Sequence, residues 1–188
     1  RKFGPDNQTD VIWEDLVDPR TVELTANDNT IYNFIWVDTS KGPLVAEIPP
    51  KVLGLVNDFW YKWVADVGLT GADRGAGGKY LLLPPGYKDP VPDGYHVVRS
   101  PTFQTWAGWR SFLVNGDTKP GVDAVKQYTK IYPLAQAGSP PPALTFSAVN
   151  VSTGDEVIVP AGRPGVFSWR YRFFALCFRS VFAAMGEL

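Results

Sequence analysis

The 188 residues carry 18 Lys and Arg against 19 Asp and Glu, a formal net charge of -1, so no broad positive field draws the chain to nucleic acid or acidic lipid. Charged residues make up only 20% and aromatic ones 14%, while 18 Gly and 17 Pro interrupt the chain often; this balance favours many short strands over a helical bundle. With Cys177 and His96 each the only one of its kind, the chain can build no internal disulfide, no cysteine-based zinc site and no histidine-rich metal centre by itself.

Residues 1–20 are polar, with a Gly4-Pro5-Asp6-Asn7 turn signal and a short apolar patch at Val11, Ile12 and Trp13, and read as a lead-in segment. Residues 21–25 alternate like a half-buried strand, and 31–37 form a β-branched and aromatic run of strand length,. Gly42-Pro43 breaks the chain, and 44–48 give another short strand stopped by Pro49-Pro50,. Residues 52–67 carry two patterns. Val52, Leu55, Val56, Phe59, Trp60, Trp63, Val64 and Val67 fall at helical steps of three and four,, yet the wealth of Trp, Phe, Tyr and Val suits a strand equally well; the strand is the expectation adopted.

The glycine-rich stretch 71–80 looks like a phosphate loop but has Asp73 where that motif needs glycine and Tyr80 where it needs Ser or Thr, so it reads as a flexible connection with sharp turns. Strands are expected at 80–83, 95–99 and 109–114, followed by a tight turn at Asn115-Gly116-Asp117,. The clearest helix has Val122, Val125 and Tyr128 on one face, Asp123 in its first turn, Lys126 and Lys130 towards its end, and Pro133 as its stop,.

Gly138-Ser139-Pro140-Pro141-Pro142 is linker-like, and 145–151 with 156–159 read as a hairpin,. Residues 169–188 form an apolar tail rich in Arg and Phe, readable as an amphipathic helix that joins copies of the chain into a homo-oligomer,. Arg170, Arg172 and Arg179 interrupt it, so no clean membrane span is expected,. The expected organisation is therefore a lead-in at 1–20, a sandwich core at 21–137, a linker and hairpin at 138–168, and the tail at 169–188.

Asn27, Asp28, Asn29 and Thr30 crowd side-chain oxygens into one turn. Such a set can hold calcium, with Asp28 as the metal ligand, or bond sugar hydroxyls; it can equally cap its own turn. Asp38, Asp58 and Asp66 lie within or at the ends of apolar segments, where a carboxylate needs a partner,. Asp58 and Asp38, with Arg99, are the candidates for acid–base chemistry; Arg99 or Arg110 serve equally as structural ion-pair partners. Phe59, Trp60, Tyr61 and Trp63 around Asp58 offer a sugar-stacking surface, so Tyr32, Trp60, Trp63 and Arg110 join the turn as ligand-binding candidates,. His96 reads as a structural histidine on a strand, and no Gly-x-Ser-x-Gly elbow occurs,.

The turn at 27–30 running into the aromatic strand that ends at Asp38 resembles the signature of a bacterial family catalogued as domain of unknown function 1254. The likeness continues through 44–50, 70–80, Leu82-Pro84-Pro85-Gly86-Tyr87, 97–102, Trp109-Arg110 and 123–134, roughly residues 21–136. Beyond Pro160 it stops, and the abrupt change of composition implies a truncated or frame-altered end. The resemblance implies an extracytoplasmic, β-rich domain. With composition, it leads to the expected fold: a mainly antiparallel β-sandwich of Greek-key or jelly-roll kind with one or two peripheral helices. The function expected is a binding or scaffold module for envelope glycans or similar small ligands, the alternative being a hydrolase of an ester, lactone or glycoside assisted by calcium.

Overall fold

A computed structural model describes residues 3–17 and 27–149. The expected strand at 21–25, the second half of the hairpin at 156–159 and the apolar tail lie outside the described residues. Among these residues ten strands build two sheets. They are β1 (Thr9–Ile12), β2 (Thr30–Asp38), β3 (Leu44–Ile48), β4 (Val52–Asp58), β5 (Trp63–Gly68), β6 (Gly78–Leu83), β7 (His96–Arg99), β8 (Gln104–Phe112), β9 (Lys130–Pro133) and β10 (Thr145–Ala148). One helix, α1 (Lys119–Tyr128), and a single 3-10 turn at Leu134–Gln136 complete the elements of the described residues.

The larger sheet runs β10-β1-β2-β8-β4-β5 and the smaller β7-β6-β3-β9. Pairings are antiparallel except β1 with β10 and β6 with β7. Alternation along the strands sorts the side chains by face. Ile31, Ile35 and Val37 of β2 meet Leu44, Ala46, Ile48, Tyr80, Leu82 and Ile131 of the smaller sheet in one core, closed by Val122 and Val125 of α1. This shared core makes the two sheets a sandwich. Tyr32, Phe34 and Trp36 occupy the other face of β2, beside Val11 and Trp13. The smaller sheet is buried on both faces: Val45, Leu81, Leu83 and Tyr132 pack under Tyr87, Val91 and Tyr95. Hence β6 reads as a continuous apolar run.

Thr9–Ile12, in the segment expected as a lead-in, is a fully buried strand between β10 and β2. The region 52–67 is extended, but as a hairpin of two strands instead of one. The helix ends earlier than Pro133: Thr129 turns to φ -70, ψ 123 and the chain enters β9 beside β3. Asp123 lies beyond the first turn, where it accepts from Lys119 Nζ at 2.5 Å across one helical turn. The glycine-rich loop is pinned: buried Asp73 accepts from Gly68 N at 2.8 Å, Gly77 N at 2.9 Å and the Tyr80 hydroxyl. Burial and this carboxylate push the Tyr80 phenol up,. His96 packs against the Tyr80 ring with centroids 5.0 Å apart. No helix among the described residues is long and apolar enough to cross a membrane.

Candidate functional site

Three connections meet at one end of the larger sheet. Asp58 organises the first, the β4–β5 hairpin. Its Oδ1 accepts from Trp60 N at 2.8 Å and Lys62 N at 2.9 Å, while Tyr61 N bonds Asp58 O and Asp58 N bonds Lys62 O. A three-residue loop closed this way ordinarily places glycine at its last position, in the left-handed region. Here that residue is Tyr61, at φ 62. The second connection, Ser100 to Phe103, braces the hairpin: Phe59 N donates to Thr102 Oγ1 at 3.0 Å, and that hydroxyl donates to Gln104 O at 2.7 Å. The third is the turn after β2, where Thr39 N and Oγ1 both donate to Phe103 O.

Between them lies a cavity of about 230 Å³, lined by Trp36, Phe59, Trp60, Tyr61 and Trp106 with Asp58, Gln104 and Thr105. Pairing places Trp36 beside Trp106, and Thr105 between Val37 and Asp58. Phe34 stacks on Trp106 with centroids 4.9 Å apart and an interplanar angle of 27°, and Tyr61 meets the same indole edge-on at 6.5 Å. Phe59 and Trp60 stand at the rim, 48% and 63% exposed. Two polar atoms are unspent among the described residues. Asp58 uses only Oδ1 within the chain, and Thr105 Oγ1, buried on the core face beside Val37, has no hydrogen-bond partner there.

Of the candidates read from sequence, Asp58 and Trp60 line this cavity and the others do not. Asp38 lies across β8 from Asp58 but on the opposite face of the sheet, since it pairs with Gln104 and Asp58 with Thr105. Its Oδ1 accepts from Ser40 N at 2.8 Å. Two carboxylates on opposite faces do not flank one scissile bond as glycoside hydrolysis requires. Arg99 ends β7 in the smaller sheet, exposed, and reaches Tyr87 O at 3.4 Å, so neither it nor Arg110 forms the ion pair expected with Asp58. Trp63, half exposed at the hairpin's far side, donates its indole N–H to Asp66 at 2.9 Å.

The Asn27 to Thr30 turn caps itself. Asn27 Oδ1 accepts from Asn29 N and Thr30 Oγ1, and Asn27 donates twice to the Tyr32 hydroxyl. Asp28 is exposed, and no group of three or more His, Cys, Asp or Glu converges among the described residues. Sequence reasoning missed Trp36, Gln104, Thr105 and Trp106. The aromatic content of residues 31–37 and the alternation of Trp106, Gly108 and Arg110 were the available signals.

The strained position offers a clean test. Tyr61→Gly removes the left-handed cost, about 1–2 kcal/mol, and loses an aromatic contact of about 0.5–1.5 kcal/mol. Its urea stability is therefore expected to stay within about 1 kcal/mol of the parent. Tyr61→Ala keeps the strain and loses the ring, so it is expected to fall below Tyr61→Gly. Equal midpoints for the two variants would remove the strain argument.

A β-sandwich domain with an aromatic cleft at the end of one sheet is the class these observations define. The chain belongs to the family described as Protein of unknown function (DUF1254), which matches residues 8–133. No curated protein matches it. Among solved structures it is similar to the VPA0106 protein from Vibrio parahaemolyticus, at 17% identity and a TM-score of 0.54. The match covers 89% of this chain and 38% of that one, so the likeness speaks to fold alone and the chain spans well under half of that relative.

Proposed function

We propose that this domain is a binding module for a ring-bearing, hydroxylated ligand of the envelope-glycan class, held in the cleft of Trp36, Trp60, Tyr61 and Trp106. The observation that carries the reading is the pairing of aromatic walls with one unspent carboxylate oxygen, Asp58 Oδ2. Aromatic faces cover the C–H faces of a pyranose, while a carboxylate oxygen takes one of its OH groups. The cavity is smaller than the roughly 300–1,000 Å³ of pockets for drug-sized ligands, which suits one ring held at a time with the rest of a chain outside. An extracytoplasmic setting, where such polymers occur, belongs to this proposal. Hydrolysis is the weaker reading because one carboxylate lines the cleft, not two.

Titrating a panel of neutral and acidic bacterial oligosaccharides while following tryptophan fluorescence tests it. Saturable quenching without turnover is expected. Trp60→Ala, which alters a residue 63% exposed at the rim, should weaken binding roughly 2–10-fold, with thermal melting as the check that the fold is kept. A panel that leaves the fluorescence unchanged, or a Trp60→Ala variant that binds as tightly as the parent, would sink the proposal.

A further inference from the structure

The cleft opens onto the outer face of the larger sheet, and that face carries a cation with no counter-charge among the described residues. Arg110 is half-buried on β8, between Tyr32 of β2 and Leu53 of β4. Among the described residues it makes no hydrogen bond and no ion pair. The described carboxylates Asp38 and Asp66 are committed elsewhere on this face, Asp38 to Ser40 N and the Gln104 amide, Asp66 to the Trp63 indole. Asp28, in the turn near Tyr32, makes no ion pair with it. A guanidinium partly withdrawn from water is stabilised by an anion it can grip with two N–H groups.

The path from cleft to cation is aromatic. Arg110 lies four residue steps beyond Trp106 along β8, about 14 Å at strand rise. Between them Gly108 leaves the floor low, and the Phe34 ring lies over it: an added Cβ at Gly108 would fall 2.4 Å from that ring. Resting on the cleft reading above, we infer that the ligand is an acidic glycan lying along β2 and β8, one ring seated in the cleft and a carboxylate or phosphate of a neighbouring unit on Arg110. Ring stacking alone would not distinguish charged from neutral polymers; Arg110 supplies that discrimination.

The test uses the full chain on an array of bacterial surface glycans with neutral, uronate-bearing and phosphate-bearing members, each strong binder then titrated in solution. Acidic members are expected to bind best, and more weakly as salt is raised. Arg110→Gln should weaken them roughly 10- to 100-fold while leaving neutral members unchanged, and Arg110→Lys should recover part of the loss. Whether uronate or phosphate members respond identifies the anion. Thermal melting of both variants confirms the fold. Equal binding of acidic and neutral members, or equal loss of both in Arg110→Gln, overturns the anion assignment and leaves the cleft standing. Binding of no member overturns the cleft reading and this inference with it.

Discussion

Gly68→Ala is expected to destabilise the fold by roughly 2–5 kcal/mol, the sum of a left-handed backbone penalty and an overpacking cost. Gly68 ends β5 at φ +78, and a Cβ there would sit 2.0 Å from Val52 O and 2.6 Å from Val52 C. Neither side can yield cheaply. Gly68 N is held by Asp73 Oδ1 at 2.8 Å, its carbonyl accepts from Gly71 N and Gly75 N, and Val52 O is held by Leu69 N. Gly86→Ala is the control, because Gly86 has nearly the same φ, +74, with no atom within 4 Å of an added Cβ. It should cost only about 1–2 kcal/mol. Urea denaturation of the two variants separates the clash from the dihedral; equal losses would mean that the Val52 contact relaxes freely.

Asp10 is expected to dominate the pH dependence of stability. It is fully buried on β1, and burial pushes its carboxyl well above 3.8, against hydrogen bonds from the Asn33 side chain and the Phe34 backbone that act the other way. Asn33 Nδ2 donates to both oxygens, at 2.9 and 3.2 Å. The native state therefore holds this proton more tightly than the unfolded chain. Its contribution is fully present below the unfolded value and is lost as pH rises through the folded one. Asp10→Asn keeps an acceptor for Asn33 and cannot ionise. Chemical denaturation from about pH 4 to about pH 8 should show the parent losing stability relative to the variant as pH rises. Parallel profiles would show that Asp10 titrates alike in both states.

Much of the sandwich was legible because its strands are short, β-branched or aromatic runs bounded by Pro and Gly. The helical stripe over 52–67 was misleading for a physical reason. The register shift between Val56 and Asn57 and the tight loop at 59–61 break the two-residue alternation across the hairpin, so apolar positions fall at steps of three and four. β9 was hidden because only Thr129 separates it from α1, and β1 because a buried carboxylate interrupts four residues that would otherwise read as a strand. The site was half legible. Asp58 and Trp60 are adjacent in sequence to the aromatic cluster that marks them, whereas Trp36, Gln104, Thr105 and Trp106 reach the cleft only through the pairing of β2 and β4 with β8. Asp38 and Asp58 look equivalent as sequence; strand parity sends them to opposite faces.

The parallel pairing of β1 with β10 has a temporal consequence. During synthesis β1 leaves the ribosome more than a hundred residues before one of its two neighbours, Thr145–Ala148. Until then the nascent sheet has β1 as an open margin, with Val11 and Trp13 lacking the cover that Val149 later supplies. Such a late, non-local closure slows folding and leaves the growing polypeptide open to strand addition by other chains.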